Sequence, residues 1–372
     1  MAGGPHVVIA AGGTGGHIYP GLALAEAILV ADPTAAVSFT GTPHGLEGDL
    51  VPGAGHELDL YDMVQFAGTG WRKATVPLAL GRATLQGRRI LRRRRADVAV
   101  SMGGYSGIPL VVAARLAGIP SLIHEPGAVP GKANRLAARF TANVAISFPG
   151  TPFPGKTVRH VGYPLRRSIT TFDRAALRPE ARAAFGLDDG VAMILVNGGS
   201  QGARSLNRLA LELAARWAGR TDVRIVLKAG ARNHEAVEAE LAAHPGRERV
   251  DLVRYLDRMD HAYAAADLTI CRAGAGTVSE LALVELPAIL VPFPHDEHDE
   301  QVHNAEPLVR AGGALLVRDQ EATAAVVGPL VDERLADPSM LDGMRQGMKA
   351  NARPRAADDL AAWALELGGR TS

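Results

Sequence analysis

Short apolar runs alternate with longer helical stretches along the whole of this sequence. Near-continuous apolar strands separated by helices are typical of parallel sheets that helices cover on both faces. The expected strands form two series, at 6–11, 36–40, 97–102, 120–124, 142–147 and 158–161, and at 191–196, 223–228, 250–254, 267–271, 288–292 and 314–317. The pattern therefore predicts an α/β protein with two Rossmann-like domains.

Composition limits the classes of protein to which the chain can belong. Of its 372 residues, 47% are hydrophobic and 21% are charged, a globular mixture that is long enough for two domains. The single cysteine excludes an intramolecular disulfide and a zinc site built from several cysteines. The longest apolar stretch, 108–123, falls short of the ~20 residues that a membrane span requires. We therefore expect a cytoplasmic protein.

Two glycine-rich turns follow predicted strands in the first half of the chain, at 12–17 (GGTGGH) and at Gly103-Gly104-Tyr105. Glycine lets backbone N–H groups approach a ligand, and a helix N-terminus adds partial positive charge that suits anions. Because strand carboxyl ends line the ligand crevice of an open α/β sheet, we expect both turns to line one crevice. The first turn could also be only a tight connection. Tyr105 could stack on a ligand, hydrogen-bond to it or simply pack.

Three segments of the second half occupy similar positions, at 197–203 (NGGSQGA), 271–280 (CRAGAGTVSE) and 292–305. Backbone amides at 275–277 suit a diphosphate, and Glu280 could accept ribose hydroxyls or merely favour the helix dipole. The loop 295–300 is acidic, but adjacent positions on a loop are a poor template for metal ligands. No metal site is therefore expected.

In their order, these motifs closely resemble the MurG family of N-acetylglucosaminyltransferases. The matching segments are GGTGGH with a following Pro-Gly, MGGY, His124-Glu125, NGGSQGAR, CRAGAGTVSE and Gln301-x-x-Asn304-Ala305, within roughly 6–365. The resemblance implies a GT-B fold, in which two Rossmann-like domains with parallel sheets face an interdomain cleft. An acceptor- and membrane-facing domain would cover 1–163 with a crossing C-terminal helix at about 350–372, and a UDP-sugar-binding domain would cover 164–349.

The resemblance also implies a reaction. An inverting transfer, with no cofactor and no essential metal, would move N-acetylglucosamine from UDP-N-acetylglucosamine to the muramoyl C4 hydroxyl of lipid I, forming lipid II for peptidoglycan. The residues that match the family's substrate-binding positions are Thr14, Gly15, Gly16, Arg166, Ser200, Leu256, Ala275, Gly276, Thr277, Val278, Ser279, Glu280 and Gln301.

A transfer of this kind requires a base that takes the proton of the acceptor hydroxyl. The pKa of histidine lies near neutrality, which favours His17, with Glu125 as the second candidate. Either could instead be structural, His17 as a cap or an acceptor contact and Glu125 as an orienting carboxylate.

The sequence departs from the family pattern at two positions. Gly127 stands where the family has an asparagine that contacts the donor sugar, and Tyr163 stands where it often has an asparagine. The change at Gly127 puts donor choice or rate in question.

The charge of the chain is uneven. Residues 1–163 carry 15 Lys and Arg against 9 Asp and Glu, a net charge of +6, whereas the remainder carries 25 against 30, a net charge of −5. Within 71–95, eight arginines and one lysine interleave with apolar residues. Such an element suits an anionic membrane surface, although a solvated helix face and a nucleic-acid site are alternatives. We expect a peripheral protein on the cytoplasmic face of the cell membrane, with no nucleic-acid partner.

Three alternative functions fit the same sequence. One is a paralogue that glycosylates another lipid-linked acceptor, as in phosphoglycolipid antibiotic assembly. Another is a UDP-sugar 2-epimerase of the same fold, which would need no acceptor. The third is a non-enzymatic scaffold that binds sugar nucleotides.

Overall fold

The computed structural model describes residues 4–43, 45–62, 72–199, 202–296 and 298–369, without the side chains of 72–76. The chain divides into two compact units, the first comprising Met1–Arg167 with Arg353–Ser372 and the second comprising Ser168–Ala352. The predicted domain ends at 163 and 349 lie a few residues before these divisions. Arg166, predicted in the second domain, therefore lies in the first unit.

The first unit is a seven-stranded parallel sheet with the strand order β3-β2-β1-β4-β5-β6-β7. Its strands are β1 His6–Ala10, β2 Ala36–Gly41, β3 Glu57–Leu60, β4 Val98–Ser101, β5 Ser121–Glu125, β6 Asn143–Ile146 and β7 Thr157–His160. Its first helices are α1 Gly15–Ala31, α2 Glu47–Gly53, α3 Arg72–Arg94, α4 Gly107–Ala117 and α5 Lys132–Ala137. The central strands are fully buried, as the apolar runs of the sequence require.

The second unit is a six-stranded parallel sheet with the order β10-β9-β8-β11-β12-β13. Its strands are β8 Ala192–Asn197, β9 Val223–Lys228, β10 Val250–Val253, β11 Leu268–Cys271, β12 Ala288–Leu290 and β13 Ala314–Leu316. Helix α6 Arg167–Thr170 leads into it, and its other helices are α7 Arg174–Ala184, α8 Arg204–Arg216, α9 His234–Ala242, α10 Met259–Ala265, α11 Ala275–Leu283, α12 Glu300–Arg310, α13 Ala324–Ala336 and α14 Pro338–Lys349.

The last helix, α15 Ala356–Leu367, belongs to the first unit and packs along α1. Leu360 and Trp363 are buried in the core that also contains Ile28 of α1. The Arg159 guanidinium lies 4.4 Å from the centre of the Trp363 ring and pairs with Glu366. The C-terminal helix expected at about 350–372 is thus α15, whose apolar face completes the core of the first unit.

The prediction of two parallel α/β units is confirmed, but several elements were missed. Strand β3 has four residues at a sheet edge, and none of them is fully buried, so it carries no continuous apolar run. Residues 166–190, where the sequence predicts no strand, contain α7, which the Asp173 side chain caps by accepting from the Ala176 N–H. Arg178 of this helix donates to the carbonyls of Ala264–Ala266 at the end of α10. These residues are more than 80 positions apart in the sequence, so the local pattern does not predict the contact.

Each sheet reverses its strand order at one point, and there the glycine turns lie. In the first unit the reversal falls between β1 and β4, which are followed by the turns at 12–17 and 103–105. In the second unit it falls between β8 and β11, which are followed by the segments at 197–203 and 272–280. Crevices at such reversals bind ligands in open α/β sheets. The topology thus gives each unit a candidate site of its own, at 12–17 and 103–105 in the first unit, and at 272–280 with the described part of 197–203 in the second.

Candidate active site

The first glycine turn leads directly into helix α1. Thr14 is its N-cap residue, and Gly15 and Gly16 are its first two helical residues. The N–H groups of a first helical turn have no partner within the helix, so they can bind an anion or a hydroxyl oxygen. Gly13 has a φ of 97°, which glycine adopts without strain. Thr14 and Gly16 are exposed.

His17 lies in the first turn of α1, against the second glycine turn. A Cβ atom at Gly103 would lie 3.1 Å from His17 Cδ2, and one at Gly104 would lie 3.4 Å from Cε1, so glycines let the imidazole pack on this backbone. Burial lowers the pKa of His17. The ring is therefore neutral at neutral pH and can accept a proton. Tyr105, which follows these glycines, is 40% exposed.

Glu125 is buried at the end of β5 and holds a loop. Its carboxylate accepts hydrogen bonds from the Gly127 and Gly131 N–H groups, at 3.1 and 3.0 Å, and from Asn134 Nδ2 at 3.0 Å. Burial raises its pKa, against the effect of these donors. With 3% exposure, Glu125 is placed to orient the loop rather than to meet an incoming hydroxyl. Gly127 is buried, and its φ is not positive, so the backbone there does not demand glycine.

The segment that ends the first unit reaches back to α1. The Tyr163 hydroxyl donates to the Gly16 carbonyl at 2.8 Å. The Arg166 guanidinium lies 4.7 Å from the centre of the Tyr19 ring, a cation–π contact with α1, and its side chain is exposed. This contact lies within the first unit, and the role of Arg166 in substrate binding stays a prediction.

In the second unit, helix α11 begins where β11 ends. Gly274 is its N-cap residue, and Ala275, Gly276 and Thr277 form its half-buried first turn. Val278 is 2% exposed and packs into the core, so only its backbone can serve a ligand. Ser279 and Glu280 are half-buried.

The Glu280 carboxylate has a fixed orientation. The hydroxyl of Tyr263, which is 3% exposed, donates to Glu280 Oε2 at 2.8 Å. A carboxylate has about four acceptor sites, so it can accept from Tyr263 and from a sugar diol together. Its charge also raises the pKa of the nearby Lys228, although burial has the larger effect and lowers it. Leu256 is half-buried on the loop between β10 and α10, next to the 70%-exposed Tyr255.

Gln301 braces the loop before α11. Its Oε1 accepts from the Ala273 and Phe293 N–H groups, at 3.1 and 3.0 Å, and so joins the ends of two neighbouring strands. Asn304 Nδ2 donates to the Ala273 carbonyl at 3.2 Å. Any sugar contact by Gln301 would therefore use its amide nitrogen. Ser200 lies outside the described residues.

Arg272 is a structural residue of this site that the sequence analysis missed. Its guanidinium donates to Asp319 at 2.6 Å, to Ser205 at 3.0 Å and to the carbonyls of Val291 and Pro292. Its position directly after β11 was the only sign in the sequence that it lies at the site. Its partners could not be predicted, because they lie 19 or more residues away along the chain.

The acidic loop at 295–300 has partners within the protein. Asp296 accepts from the Gln301 N–H, and Asp299 pairs with Arg318. Among the residues that the structure describes, no cluster of three His, Cys, Asp or Glu side chains could hold a metal ion.

A cavity of about 720 Å³ lies beside Val191 and Asp267, at the amino ends of the central strands β8 and β11, opposite to the glycine segments. Its arginines serve the fold, because Arg178 donates to the end of α10 and to Asp267, and Arg182 to the Val191 carbonyl. We therefore do not assign substrate binding to this cavity.

Both halves of the chain match glycosyltransferase family 28, the N-terminal domain over residues 7–146 and the C-terminal domain over residues 193–360. A curated relative from Streptomyces avermitilis, named UDP-N-acetylglucosamine--N-acetylmuramyl-(pentapeptide) pyrophosphoryl-undecaprenol N-acetylglucosamine transferase, is 45% identical over 95% of this chain and 96% of its own. The chain belongs to the MurG family of glycosyltransferases. A relative of the same name from Nocardioides is 44% identical over 97% of this chain and 98% of its own.

Solved structures agree with this family and fold. The MurG structure from Acinetobacter baumannii has a TM-score of 0.79 and 29% identity, covering 97% of this chain and 99% of its own. A UDP-N-acetylglucosamine 2-epimerase has a TM-score of 0.67 at 13% identity, covering 99% of this chain and 98% of its own, which shows a shared GT-B fold alone. Among the helices in the part of the chain that the structure describes, none is long and apolar enough to cross a membrane.

Acid should destabilise the first unit through His124. This side chain is fully buried, and burial lowers its pKa from 6.5 to about 4. As the pH falls, the unfolded chain binds the proton first, so the free energy of unfolding decreases from pH 6.5 down to about 4 and then levels off. Between pH 7 and pH 5 the expected loss is about 2 kcal/mol.

Urea unfolding of the wild type and of His124→Gln at both pH values measures this loss. The variant should lose less stability than the wild type over the interval, while a His303→Gln control at an exposed site should behave like the wild type. Equal losses in the wild type and in His124→Gln would contradict the assignment.

Proposed function

We propose that the protein transfers N-acetylglucosamine, with inversion, from UDP-N-acetylglucosamine to the muramoyl C4 hydroxyl of lipid I, which produces lipid II for peptidoglycan. One observation carries this proposal: relatives named for this transferase match nearly the whole chain at 43–45% identity. The two glycine-turn sites agree with it, because a sugar-nucleotide donor and a lipid diphosphate acceptor are both anionic ligands.

In this proposal the second unit binds the donor. The first-turn amides of α11 bind the diphosphate, and the helix dipole stabilises the charge that develops on the leaving UDP. Glu280, oriented by Tyr263, accepts the ribose hydroxyls. The backbone at Leu256 contacts uracil, and Ser200 and Gln301 complete the predicted donor set.

The first unit binds the acceptor, and His17 is the base. A neutral imidazole in the first turn of α1, whose pKa burial lowers, can take the proton of the attacking hydroxyl. Glu125 holds the loop that carries Gly127 and so shapes the neighbouring surface. Thr14, Gly15, Gly16 and Tyr105 supply the exposed surface of the two glycine turns.

One face of α3 has the properties of a membrane-binding surface. Leu78 and Leu85 are 79% and 57% exposed, and Arg82, Arg89 and Arg92 are exposed between and beyond them. Spacings of three and four residues place all five on one stripe of the helix. Each such cation contributes about 1 kcal/mol near anionic lipid. We propose that this stripe docks on the cytoplasmic face of the cell membrane, where the acceptor is anchored.

The adjoining arginines have another role. Arg93 and Arg94 pair with Asp59, and Arg94 also pairs with Glu57, so they fasten α3 to β3. The arginines of the predicted membrane-binding element at 71–95 therefore have two roles. Arg93 and Arg94 stabilise the fold, and Arg82, Arg89 and Arg92 lie on the exposed stripe.

Incubation of the protein with labelled UDP-N-acetylglucosamine and a lipid I analogue tests the proposed reaction. We expect a disaccharide-linked lipid and UDP, with most activity kept in the presence of EDTA. Glu280→Ala should weaken UDP binding by ~1.5–3 kcal/mol in calorimetry, because a charge-assisted hydrogen bond is lost. Epimerised nucleotide formed without an acceptor, or transfer only to a different lipid acceptor, would overturn the proposal.

The membrane stripe is tested by the triple variant Arg82→Glu, Arg89→Glu and Arg92→Glu. Binding to anionic vesicles should fall by about a hundredfold, and the difference from the wild type should shrink at high salt. UDP affinity should not change. The control is the same Arg→Glu change at three exposed arginines elsewhere, Arg208, Arg310 and Arg355. This control variant should lose much less binding to anionic vesicles. Equal losses in both triple variants would show a general charge effect instead of a docking surface.

A further inference from the structure

A proline interrupts the hydrogen bonding of α1 next to the glycine turn. In a helix, the carbonyl of residue 16 accepts from the N–H of residue 20. Residue 20 is Pro20, which lies inside α1 and has no N–H to donate. The Gly16 carbonyl, in the first turn that carries His17, therefore loses the partner that the helix would have supplied.

A side chain from a distant segment replaces that partner. The Tyr163 hydroxyl donates to the Gly16 carbonyl at 2.8 Å across 147 residues of sequence. Tyr163 is 7% exposed, and its ring packs edge-on to the His124 ring, with the centroids 6.1 Å apart. The donor is thus held by packing, which reduces the entropy lost in making the bond.

A second side chain holds the other end of the turn. Glu47 is fully buried, and its Oε2 accepts from the Gly13 N–H at 3.0 Å. Its Oε1 accepts from the Thr42 N–H at 2.8 Å and the Thr42 hydroxyl at 3.0 Å, which fixes the carboxylate. A Cβ atom at Gly12 would lie 2.7 Å from Glu47 Oε1, so the turn and the carboxylate fit closely.

We propose that Tyr163 is a positioning residue for the first glycine turn, in which it supplies the hydrogen bond that Pro20 removes, while Glu47 anchors the opposite end. Together they fix the backbone from Gly13 to Gly16 and, through it, the first turn of α1 that presents His17. This inference rests on the proposed role of His17 and the turn in transfer. Its structural half, the replacement of a lost helix bond, can be tested without that role.

The test is a double-mutant cycle between positions 163 and 20. Tyr163→Phe keeps the ring and removes the hydroxyl. Pro20→Ala restores an N–H that can donate to Gly16. Tyr163→Phe alone should lower kcat about two- to tenfold, the equivalent of one hydrogen bond, and leave UDP affinity unchanged. In the Pro20→Ala background the same change should have little effect, because the carbonyl then has a helical partner.

Amide hydrogen exchange at His17 and Ile18, whose N–H groups donate to the Thr14 carbonyl, gives a readout that is independent of activity. Exchange should quicken in Tyr163→Phe and return in the double variant to the level of Pro20→Ala. Thr141→Val is the control, since it removes a buried hydroxyl that donates to the Ser121 carbonyl elsewhere in the unit, and it should change neither kcat nor exchange at these two amides.

The outcomes separate the two proposals. If Tyr163→Phe had equal effects on kcat and on exchange in the wild-type and Pro20→Ala backgrounds, the positioning role would be overturned. A wild-type protein that forms no lipid product would overturn the proposed function. If the exchange data still showed rescue by Pro20→Ala in that case, the replacement of the lost helix bond would stand.

Discussion

The reversal of strand order in each parallel sheet is the constraint on which the candidate sites depend. Parallel strands that reverse their order leave a crevice at their carboxyl ends, and the helices that follow point unpaired N–H groups into it. Both units repeat this arrangement, at α1 in the first and at α11 in the second. In the proposed function, one of these arrangements binds the anionic donor and the other binds the lipid diphosphate acceptor.

A glycine turn that approaches a ligand closely has few side chains of its own that could fix its backbone conformation. Here, polar side chains hold the turns and the loops beside them. Glu47 and Tyr163 hold the first turn, Glu125 holds the loop at 127–131, and Gln301 and Arg272 brace the segment before α11. Most of these braces are buried and directed at backbone groups. They position the site without having to touch a substrate.

The sequence predicted those features that local pattern decides. The two sheets, their buried strands and the four glycine segments at strand ends followed from apolar runs and glycine spacing. Strand β3 and helix α7 were missed because neither has a continuous apolar run. Both are stabilised by partners far away in the chain, β3 by arginines of α3 and α7 by the carbonyls at the end of α10. The bracing role of Gln301, the burial of Glu125 and the pairing of Arg94 depend on residues far away in the chain. No spacing rule within one sequence reveals them.

We propose that each order reversal is the binding site of one of the two substrates. Hydrogen exchange of the whole chain, measured with UDP alone and with a lipid I analogue alone, tests it most directly. UDP should protect 272–283 at the reversal of the second sheet, together with 254–258, where Leu256 lies. The acceptor analogue should protect 12–18 and 102–106 at the reversal of the first sheet. Protection by either ligand at the amino ends of the strands, such as around Val191 and Asp267, with these four segments unchanged, would contradict the assignment of the two sites.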